Sequence, residues 1–378
     1  MRKFLLIPDS FKGTMSSAQI CGIMAEQIRR HYPGADIRSI PVADGGEGSV
    51  DCFLAAMGGE KIPLSVRGPY GGAVDAFYGV TDGGATAIVE MAAAAGLPLV
   101  GADKRPQDAT TYGVGQLMAD AARRGCKKLI VGLGGSATND LGMGAAAGAG
   151  ARFLDRDGRA FVPTGGTLDR VADIDLSGLE PALGDMEIIT MCDIDNPLYG
   201  PAGAAYVFGP QKGAAPALAD LLDQQLRAGA DVIRRVLGKD VALLAGAGAA
   251  GGMGAGMAAF FGARLQMGID AVLDTVGFEE AARGAHCIFT GEGKIDSQSL
   301  RGKVVMGVAR RAKPLGVPVV AVVGDIGDDI EAAYDQGVSA IFSINRVAVD
   351  FAKARGRSPA DLALTMDNLL RWMQVLEQ

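Results

Sequence analysis

Histidine and paired cysteine are scarce in this sequence. Its 378 residues include two histidines, His31 and His286, and five scattered cysteines that form no C-x-x-C pair. Catalytic triads and zinc sites usually depend on histidine or on closely spaced cysteines, so neither kind of site is expected. The odd number and the scatter of the cysteines also argue against a disulfide framework.

Several other signatures are absent. No stretch approaches the roughly 20 uninterrupted apolar residues of a membrane-spanning helix, and the apolar run Phe4–Ile7 is too short for a signal peptide. The P-loop motif G-x-x-x-x-G-K-[ST] and the hydrolase motif G-x-S-x-G do not occur. The formal net charge of −7 argues against non-specific nucleic-acid binding. We therefore expect a cytoplasmic enzyme of small molecules, with neither nucleic acid nor membrane as a partner.

Glycine is abundant, and its positions single out one stretch. The 56 glycines show no collagen-like period, and most lie in loops. Residues Leu129–Gly148 read as a short apolar strand, a polar glycine loop and a helix of small residues. Such a loop lets the backbone approach a ligand, and the following helix presents N–H groups to phosphate. The stretch predicts either a phosphate-binding loop, in which Asp140 caps the helix or faces a metal, or a tight strand-to-helix turn capped by Asn139 or Asp140.

Charged side chains follow two predicted strands near the start of the chain. Asp9, Ser10 and Lys12 come directly after the first strand, and Asp44 and Glu47 lie in an acidic glycine loop after the second. Ligands of open α/β sheets bind at the carboxyl ends of strands, which favours metal, phosphate or proton-transfer roles. Turn formation and charge at a helix N-terminus are the alternative interpretations.

Acidic residues also follow two later strands. Asp193 and Asp195 follow the strand Glu187–Met191, and both would point the same way if the strand continued. Such a pair suits Mg²⁺, or one carboxylate acting as a base beside the other. Glu292 and Lys294 alternate with glycines after another apolar strand. A solvated turn is the alternative at Asp193.

A second glycine loop contains the spacing G-x-G-x-x-G at Gly246, Gly248 and Gly251. The dinucleotide fingerprint needs a strand immediately before these glycines, and the preceding segment is a marginal strand. The loop predicts either a second approach to phosphate or close packing of a helix.

Strands and helices alternate at both ends of the chain, which is typical of a parallel α/β sheet. We therefore predict the α/β class, with residues 1–62 and 286–378 forming one discontinuous domain. Residues 63–285 form an inserted mixed α/β domain in this prediction. Residues 151–184 show no clear pattern. Glu90 is interpreted either as an inward-facing carboxylate or, the favoured interpretation, as a charge at the start of a short helix.

Six motifs taken together resemble the bacterial type-1 glycerate kinase family, the glycerate 2-kinases. They are DSFKG (Asp9–Gly13), PVADGGEG (Pro41–Gly48), GLGGSATND (Gly132–Asp140), CDIDNPL (Cys192–Leu198), GAAGGMGAG (Gly248–Gly256) and TGEGKID (Thr290–Asp296). The resemblance covers essentially the whole chain, with the motifs in order. One departure is Leu141, where we expect the family motif to continue with glycine. A hydrophobic side chain there should alter packing at the helix start and leave the proposed ligands unchanged.

The resemblance implies ATP- and Mg²⁺-dependent phosphorylation of D-glycerate, with 2-phosphoglycerate as the product and 3-phosphoglycerate as the alternative. It also implies that the discontinuous domain is flavodoxin-like. The motif positions then provide four sets of candidates: catalytic Asp193, Asp44, Lys12 and Lys294; substrate-binding Asp9, Ser10, Arg67, Glu47 and Glu292; nucleotide-binding Gly134, Gly135, Ser136, Thr138, Asn139, Gly251 and Gly252; and metal-binding Asp193 and Asp195.

Two other functions remain alternatives. The G-x-G-x-x-G spacing is compatible with a dinucleotide-dependent hydroxy-acid oxidoreductase, although the weak preceding strand and the lack of a catalytic histidine count against it. A non-catalytic, two-lobed ligand-binding protein would not need the acids clustered at strand ends. The sequence leaves the oligomeric state open, and a homo-oligomer is one outcome.

Overall fold

The computed structural model describes residues 2–43, 45–297 and 299–377, without the side chain of Arg301. The strands are β1 Lys3–Pro8, β2 Asp36–Ser39, β3 Glu60–Arg67, β4 Ala73–Thr81, β5 Thr86–Glu90, β6 Lys128–Gly132, β7 Arg152–Leu154, β8 Ala160–Phe161, β9 Asp173–Asp175, β10 Glu187–Met191, β11 Arg264–Gln266, β12 Cys287–Gly291, β13 Lys294–Ile295, β14 Val319–Val323, β15 Asp325–Ile326 and β16 Val338–Ser343.

The helices are α1 Ser17–His31, α2 Ser49–Met57, α3 Ala92–Ala95, α4 Leu97–Val100, α5 Tyr112–Arg123, α6 Met143–Gly148, α7 Ala204–Phe208, α8 Pro216–Leu237, α9 Ala249–Phe261, α10 Gly268–Thr275, α11 Phe278–Ala282, α12 Val304–Ala312, α13 Ala332–Asp335, α14 Phe351–Arg355 and α15 Ser358–Leu376. No helix in the described part of the chain is both long enough and apolar enough to cross a membrane.

The chain folds into two compact units. The first comprises Met1–Asp44, Asp51–Met57 and Ile269–Gln378, and the second comprises Gly45–Val50 and Gly58–Gly268. The domain boundaries inferred from the sequence, 1–62 with 286–378 and 63–285, stay a prediction.

A five-stranded sheet forms the centre of the first unit, in the order β16-β14-β12-β1-β2. Every neighbouring pair in it is parallel. Counted along the chain, this order is 2-1-3-4-5, the flavodoxin-like order. The two ends of the chain therefore contribute strands to one sheet, as the alternation at both ends indicated. The order reverses between β1 and β12, which is where such folds bind ligands.

Helix α1 shows how the sequence builds this unit. Ser16 caps it with a capping box, in which its side chain accepts from Gln19 N and the Gln19 side chain accepts from Ser16 N. Ile20, Met24 and Ile28 recur at helical spacing and are fully buried. This apolar face packs in a core with residues of β1, β12 and α15.

A six-stranded sheet forms the second unit, in the order β11-β10-β6-β5-β4-β3. Strands β11, β10, β6 and β5 are parallel, whereas β5, β4 and β3 form an antiparallel meander. Parallel strands place their carboxyl ends at the same edge. The loops that follow β5, β6 and β10 therefore leave the sheet on one side.

A three-stranded antiparallel sheet occupies part of the segment that showed no pattern in the sequence. It has the order β8-β7-β9 and encloses the buried Phe153 and Ile174. Phe153 packs edge-on against Phe260 with ring centroids 5.6 Å apart. Strands of two or three residues are too short to show a period of two, so the sequence did not predict them.

Candidate active site

The glycine loop after β6 lies against a second backbone segment of the same unit. A Cβ atom at Gly132 would lie 2.4 Å from the carbonyl oxygen of Gly45, and one at Gly134 would lie 2.4 Å from the Cα of Gly46. The Gly134 N–H donates to the Gly45 carbonyl at 3.0 Å. These glycines are therefore required by close contact between two loops at the strand end.

Buried polar groups without partners follow in the same loop. The Thr138 hydroxyl and both polar atoms of the Asn139 amide are buried and have no hydrogen-bond partner among the described residues. Asn139 as a whole is 1% exposed. An unsatisfied buried polar group costs about 1–3 kcal/mol, so such groups usually indicate a bound ligand or water. This loop therefore carries donors and acceptors that its own fold does not use.

Asp140 forms the turn that ends this loop. Its Oδ2 accepts from the Thr111 N–H at 2.6 Å and from the Thr111 hydroxyl at 2.9 Å, and its Oδ1 accepts from the Gly142 N–H at 3.2 Å. Burial raises the pKa of Asp140, and these hydrogen bonds act in the opposite direction. Of the two sequence interpretations of Asp140, its contacts match the structural one.

Lys212 is a buried lysine of this site, although it was not among the sequence candidates. The residue is 3% exposed, and Nζ donates to the Thr138 carbonyl at 2.7 Å. Burial lowers the pKa of Lys212 to about 7, whereas the nearby Asp140 carboxylate acts in the opposite direction. Its position in the Gly-Pro loop GPQKG gave no signal, because a lysine in a loop is usually solvated.

The second glycine loop packs directly on the first. A Cβ atom at Gly251 would lie 2.0 Å from the Thr138 carbonyl oxygen, and the Leu141 N–H donates to the Gly251 carbonyl at 3.1 Å. Ala250, Gly251 and Gly252 all have positive φ angles, which glycine adopts easily and alanine does not. The contacts match the packing interpretation, and nucleotide binding by Gly251 and Gly252 stays a prediction.

The two acids after β10, Asp193 and Asp195, lie in the loop that follows the strand. The strand ends at Met191, so Asp193 and Asp195 do not continue it, and both side chains are exposed. Asp193 Oδ1 accepts from the Gly268 N–H at 2.6 Å. No group of three or more His, Cys, Asp or Glu side chains within the described ranges could hold a metal. Two carboxylates nevertheless fit Mg²⁺, which proteins often bind through one or two carboxylates plus phosphate and water.

Three further residues of the second unit lie outside these loops. The Arg67 guanidinium is exposed and stacks 4.3 Å from the centre of the Tyr112 ring. Glu47 is exposed as well. The interpretation of Glu90 as a charge at a helix start is wrong: Glu90 ends β5, is buried, and its Oε1 accepts from the Val50 N–H at 2.7 Å.

In the first unit, two acids flank the point where the strand order reverses. Asp9 follows β1 and Glu292 follows β12, and the Asp9 N–H donates to the Gly291 carbonyl at 2.8 Å. Asp9 Oδ1 accepts from the Ser10 N–H at 2.6 Å. Burial raises the pKa of Glu292 to about 7, and the charge of Asp9 adds to this effect. Glu292 Oε1 is buried and has no hydrogen-bond partner in the part of the chain described.

The structure thus collects the candidates at two strand edges. Asp9, Ser10, Lys12, Glu292 and Lys294 belong to the first unit, and the two lysines are exposed. The second unit holds the other described candidates, namely Glu47, Arg67, Gly134, Gly135, Ser136, Thr138, Asn139, Asp193, Asp195, Gly251 and Gly252. Asp44 lies outside the described residues.

Acids and unsatisfied polar loops lie at the carboxyl ends of strands in these sheets. This arrangement is typical of α/β enzymes that act on small, charged metabolites. Comparison with known proteins identifies the family within this class. The model of the family described as "Glycerate kinase family" matches residues 4–374. The chain belongs to the glycerate kinase family.

Relatives named as glycerate kinases match over nearly their full lengths. The chain is 45% identical over 353 residues to a glycerate kinase of Bacillus subtilis (strain 168), covering 93% of this chain and 92% of the relative. It is 44% identical over 343 residues to the glycerate 2-kinase of Escherichia coli (strain K12), covering 90% of each. A crystal structure from Salmonella typhimurium LT2, named glycerate kinase 2, superposes with a TM-score of 0.89 at 39% identity, covering 100% of this chain and 99% of the other.

These comparisons confirm three predictions from the sequence. They are the family, the fold class and the enzyme class, a phosphotransferase with an alcohol group as acceptor. The assignments of individual residues stay predictions.

Proposed function

We propose that the protein transfers the γ-phosphoryl group of ATP to the 2-hydroxyl group of D-glycerate, giving ADP and 2-phosphoglycerate. The observation that carries this proposal is the match to the glycerate kinase family across residues 4–374. The name glycerate 2-kinase of the E. coli relative supports the 2-position over the 3-position. ATP is the donor that kinases ordinarily use.

The loop after β6 is the proposed phosphate site. Ser136, Thr138 and Asn139 supply a buried hydroxyl pair and an amide, and two of these three side chains lack protein partners among the described residues. Phosphate oxygens accept hydrogen bonds from such groups, and the positive end of a helix dipole favours their charge. Gly134 and Gly135 let the backbone come close, and Lys212 Nζ supports the loop by donating to the Thr138 carbonyl.

Asp193 and Asp195 are the residues that would hold Mg²⁺. When bound, the ion would neutralise charge on the phosphates. Asp193 is also the candidate base: its carboxylate accepts the proton of the substrate hydroxyl while that oxygen bonds to the γ-phosphorus and the bond to ADP breaks. The Gly268 N–H fixes the direction of its carboxylate in either role.

Several charged residues are proposed to bind the substrate. Lys12 and Lys294 offer positive charge to the glycerate carboxylate or the transferred phosphoryl group. Asp9, Ser10 and Glu292 offer hydrogen bonds to hydroxyl groups. Two further residues are predicted to bind substrate, Arg67 and Glu47. Asp44 is a further catalytic prediction.

The arrangement of the second glycine loop argues against a dinucleotide-dependent oxidoreductase. A Cβ at Gly246 would lie 2.6 Å from the Cys192 sulfur, and one at Gly248 would lie 2.4 Å from the Pro197 carbonyl oxygen. Residues 241–244 form no strand. These glycines contact the protein's own chain, and the fingerprint's preceding strand is missing.

Replacement of Asp193 with Asn tests the catalytic proposal. Asparagine keeps an oxygen that can accept from Gly268 N, so the fold should be retained, whereas kcat should fall by roughly 10²- to 10⁴-fold. The matched control is Asp185→Asn, which changes an exposed acid just before the amino end of the same strand β10 and should leave kcat unchanged. Kinetics at several Mg²⁺ concentrations separate the two roles. Loss of a metal ligand would raise the Mg²⁺ concentration needed for activity, whereas loss of a base would not. Normal turnover of the variant would contradict both roles.

A further inference from the structure

A cavity of about 220 Å³ opens at the carboxyl edge of the sheet in the first unit. Phe11, Lys12, Asp325, Asn345 and Phe351 are among the residues that line it. The described mechanism uses only Lys12 of these residues. We propose that this cavity binds the adenine base and ribose of the nucleotide, an inference that rests on the proposed kinase function.

Two aromatic rings give the cavity an affinity for a planar base. Phe11 is buried, whereas Phe351, the first residue of α14, is 63% exposed. Asp350 caps that helix by accepting from the Lys353 N–H at 3.0 Å, so the position of Phe351 on the backbone is fixed. An exposed aromatic ring at a cavity is a platform on which a base can stack. Glycerate has no apolar face that would use these rings.

The polar groups of the cavity match a nucleoside. The Asn345 side-chain amide has no hydrogen bond to any residue that the structure describes, whereas its backbone N–H donates to the Ser343 hydroxyl at 3.0 Å. An asparagine amide pairs a donor with an acceptor and so complements the edge of adenine. The exposed Asp325 carboxylate suits ribose hydroxyls, as acids do in other α/β nucleotide sites.

Size and charge point to the same ligand. At about 220 Å³ the cavity is smaller than the roughly 300–1,000 Å³ pockets of drug-sized ligands, so it holds a base with part of its sugar. The phosphates must then lie outside it. Lys12 lines the cavity and is exposed, so it offers a positive charge to an anionic ligand on a protein whose formal net charge is −7.

Replacement of Phe351 with Trp gives a direct test. The chain has one tryptophan, Trp372, so the experiment uses a Trp372→Phe background. ADP and adenosine should quench the fluorescence of the new tryptophan, and D-glycerate or inorganic phosphate should not. In steady-state assays, Phe351→Ala should raise KM for ATP by roughly tenfold and leave KM for D-glycerate unchanged. Tyr334→Ala, which removes another exposed aromatic ring of the same unit, is the control.

The outcomes separate this inference from the proposed function. Turnover with no quenching and a normal KM for ATP in Phe351→Ala would overturn the cavity assignment and leave the kinase standing. Quenching by ADP in a protein that never phosphorylates glycerate would support the cavity and contradict the proposed function. Quenching together with the selective rise in KM supports both.

Discussion

At the scale of single residues, Leu141 occupies a position where the family resemblance led us to expect glycine. Its φ angle is +57°, in the left-handed region where glycine is favoured. A non-glycine residue there costs about 1–2 kcal/mol, whereas full burial of a leucine side chain contributes about 1.5–3 kcal/mol. The Leu141 side chain is fully buried in the core of the second unit. Burial therefore offsets the backbone strain, and the leucine is tolerated.

Lys212 should be essential to the stability of the glycine loop. Lys212→Met removes the donor to the Thr138 carbonyl and leaves the Asp140 carboxylate without its nearby cation, so we expect a loss of at least about 2 kcal/mol. The measurement is Tm by calorimetry, together with KM for ATP.

Lys104→Met is the matched control for this change. Lys104 also donates to a carbonyl of the same segment, that of Gln211 at 2.9 Å, but it is exposed. Its replacement should cost less than about 1 kcal/mol. Equal losses in the two variants would contradict the role assigned to the buried lysine.

Glu292 should make stability depend on pH. The folded protein holds its proton up to about pH 7, whereas the unfolded chain loses it near 4.5. Between these values the folded state binds more protons, so its stability falls as pH rises. Glu292→Gln removes this loss. The difference in Tm between the variant and wild type should therefore grow in favour of the variant from about pH 5 to about pH 8, by the equivalent of up to about 3 kcal/mol. A constant difference, like that expected for the exposed Glu60→Gln, would contradict the prediction.

At the scale of elements, glycines hold α5 and α6 close together behind the loop. A Cβ at Gly115 of α5 would lie 1.9 Å from the Ala145 carbonyl oxygen of α6, and one at Gly148 would lie 2.0 Å from the Tyr112 carbonyl oxygen. Backbone atoms cannot move aside as flexible side chains do. The separation of these helices is therefore fixed by glycine.

Replacement of Gly115 with Ala tests this contact. Alanine usually favours a helix over glycine by about 1 kcal/mol, but the clash should outweigh this gain and destabilise the protein by about 1–3 kcal/mol. Gly22 of α1 is the control, since a Cβ there would meet nothing within 4 Å. Gly22→Ala should therefore raise Tm. An increase in Tm for both variants would rule out close packing at Gly115.

Long or strongly patterned elements could be predicted from the sequence. Helix α8, Pro216–Leu237, is such an element, because Leu222, Leu226 and Ile233 mark one buried face at helical spacing. Contacts between distant residues could not be predicted in this way. The hydrogen bond of Lys212 to Thr138 and that of Glu90 to Val50 depend on tertiary packing, which leaves no local period in the sequence.

At the scale of the whole molecule, the discontinuous sheet was predictable and the site assignments remain predictions. Alternating strands and helices at both chain ends indicated one shared sheet, and β1 and β12 are neighbours in it. The acids at its strand ends followed from the same rule about ligand position. The role of each side chain in binding metal, adenine base or substrate is defined by its contacts with those ligands. Neither the sequence pattern nor the fold alone assigns those roles.

Phosphorus NMR of the protein with ATP, Mg²⁺ and D-glycerate tests the central claim most directly. The carbon at the 2-position of glycerate bears one hydrogen and the carbon at the 3-position bears two, so the product signal is a doublet for 2-phosphoglycerate and a triplet for 3-phosphoglycerate. We predict ADP and a doublet that form only when D-glycerate is present. A triplet would contradict the 2-position, and no glycerate-dependent signal from folded protein would contradict the kinase.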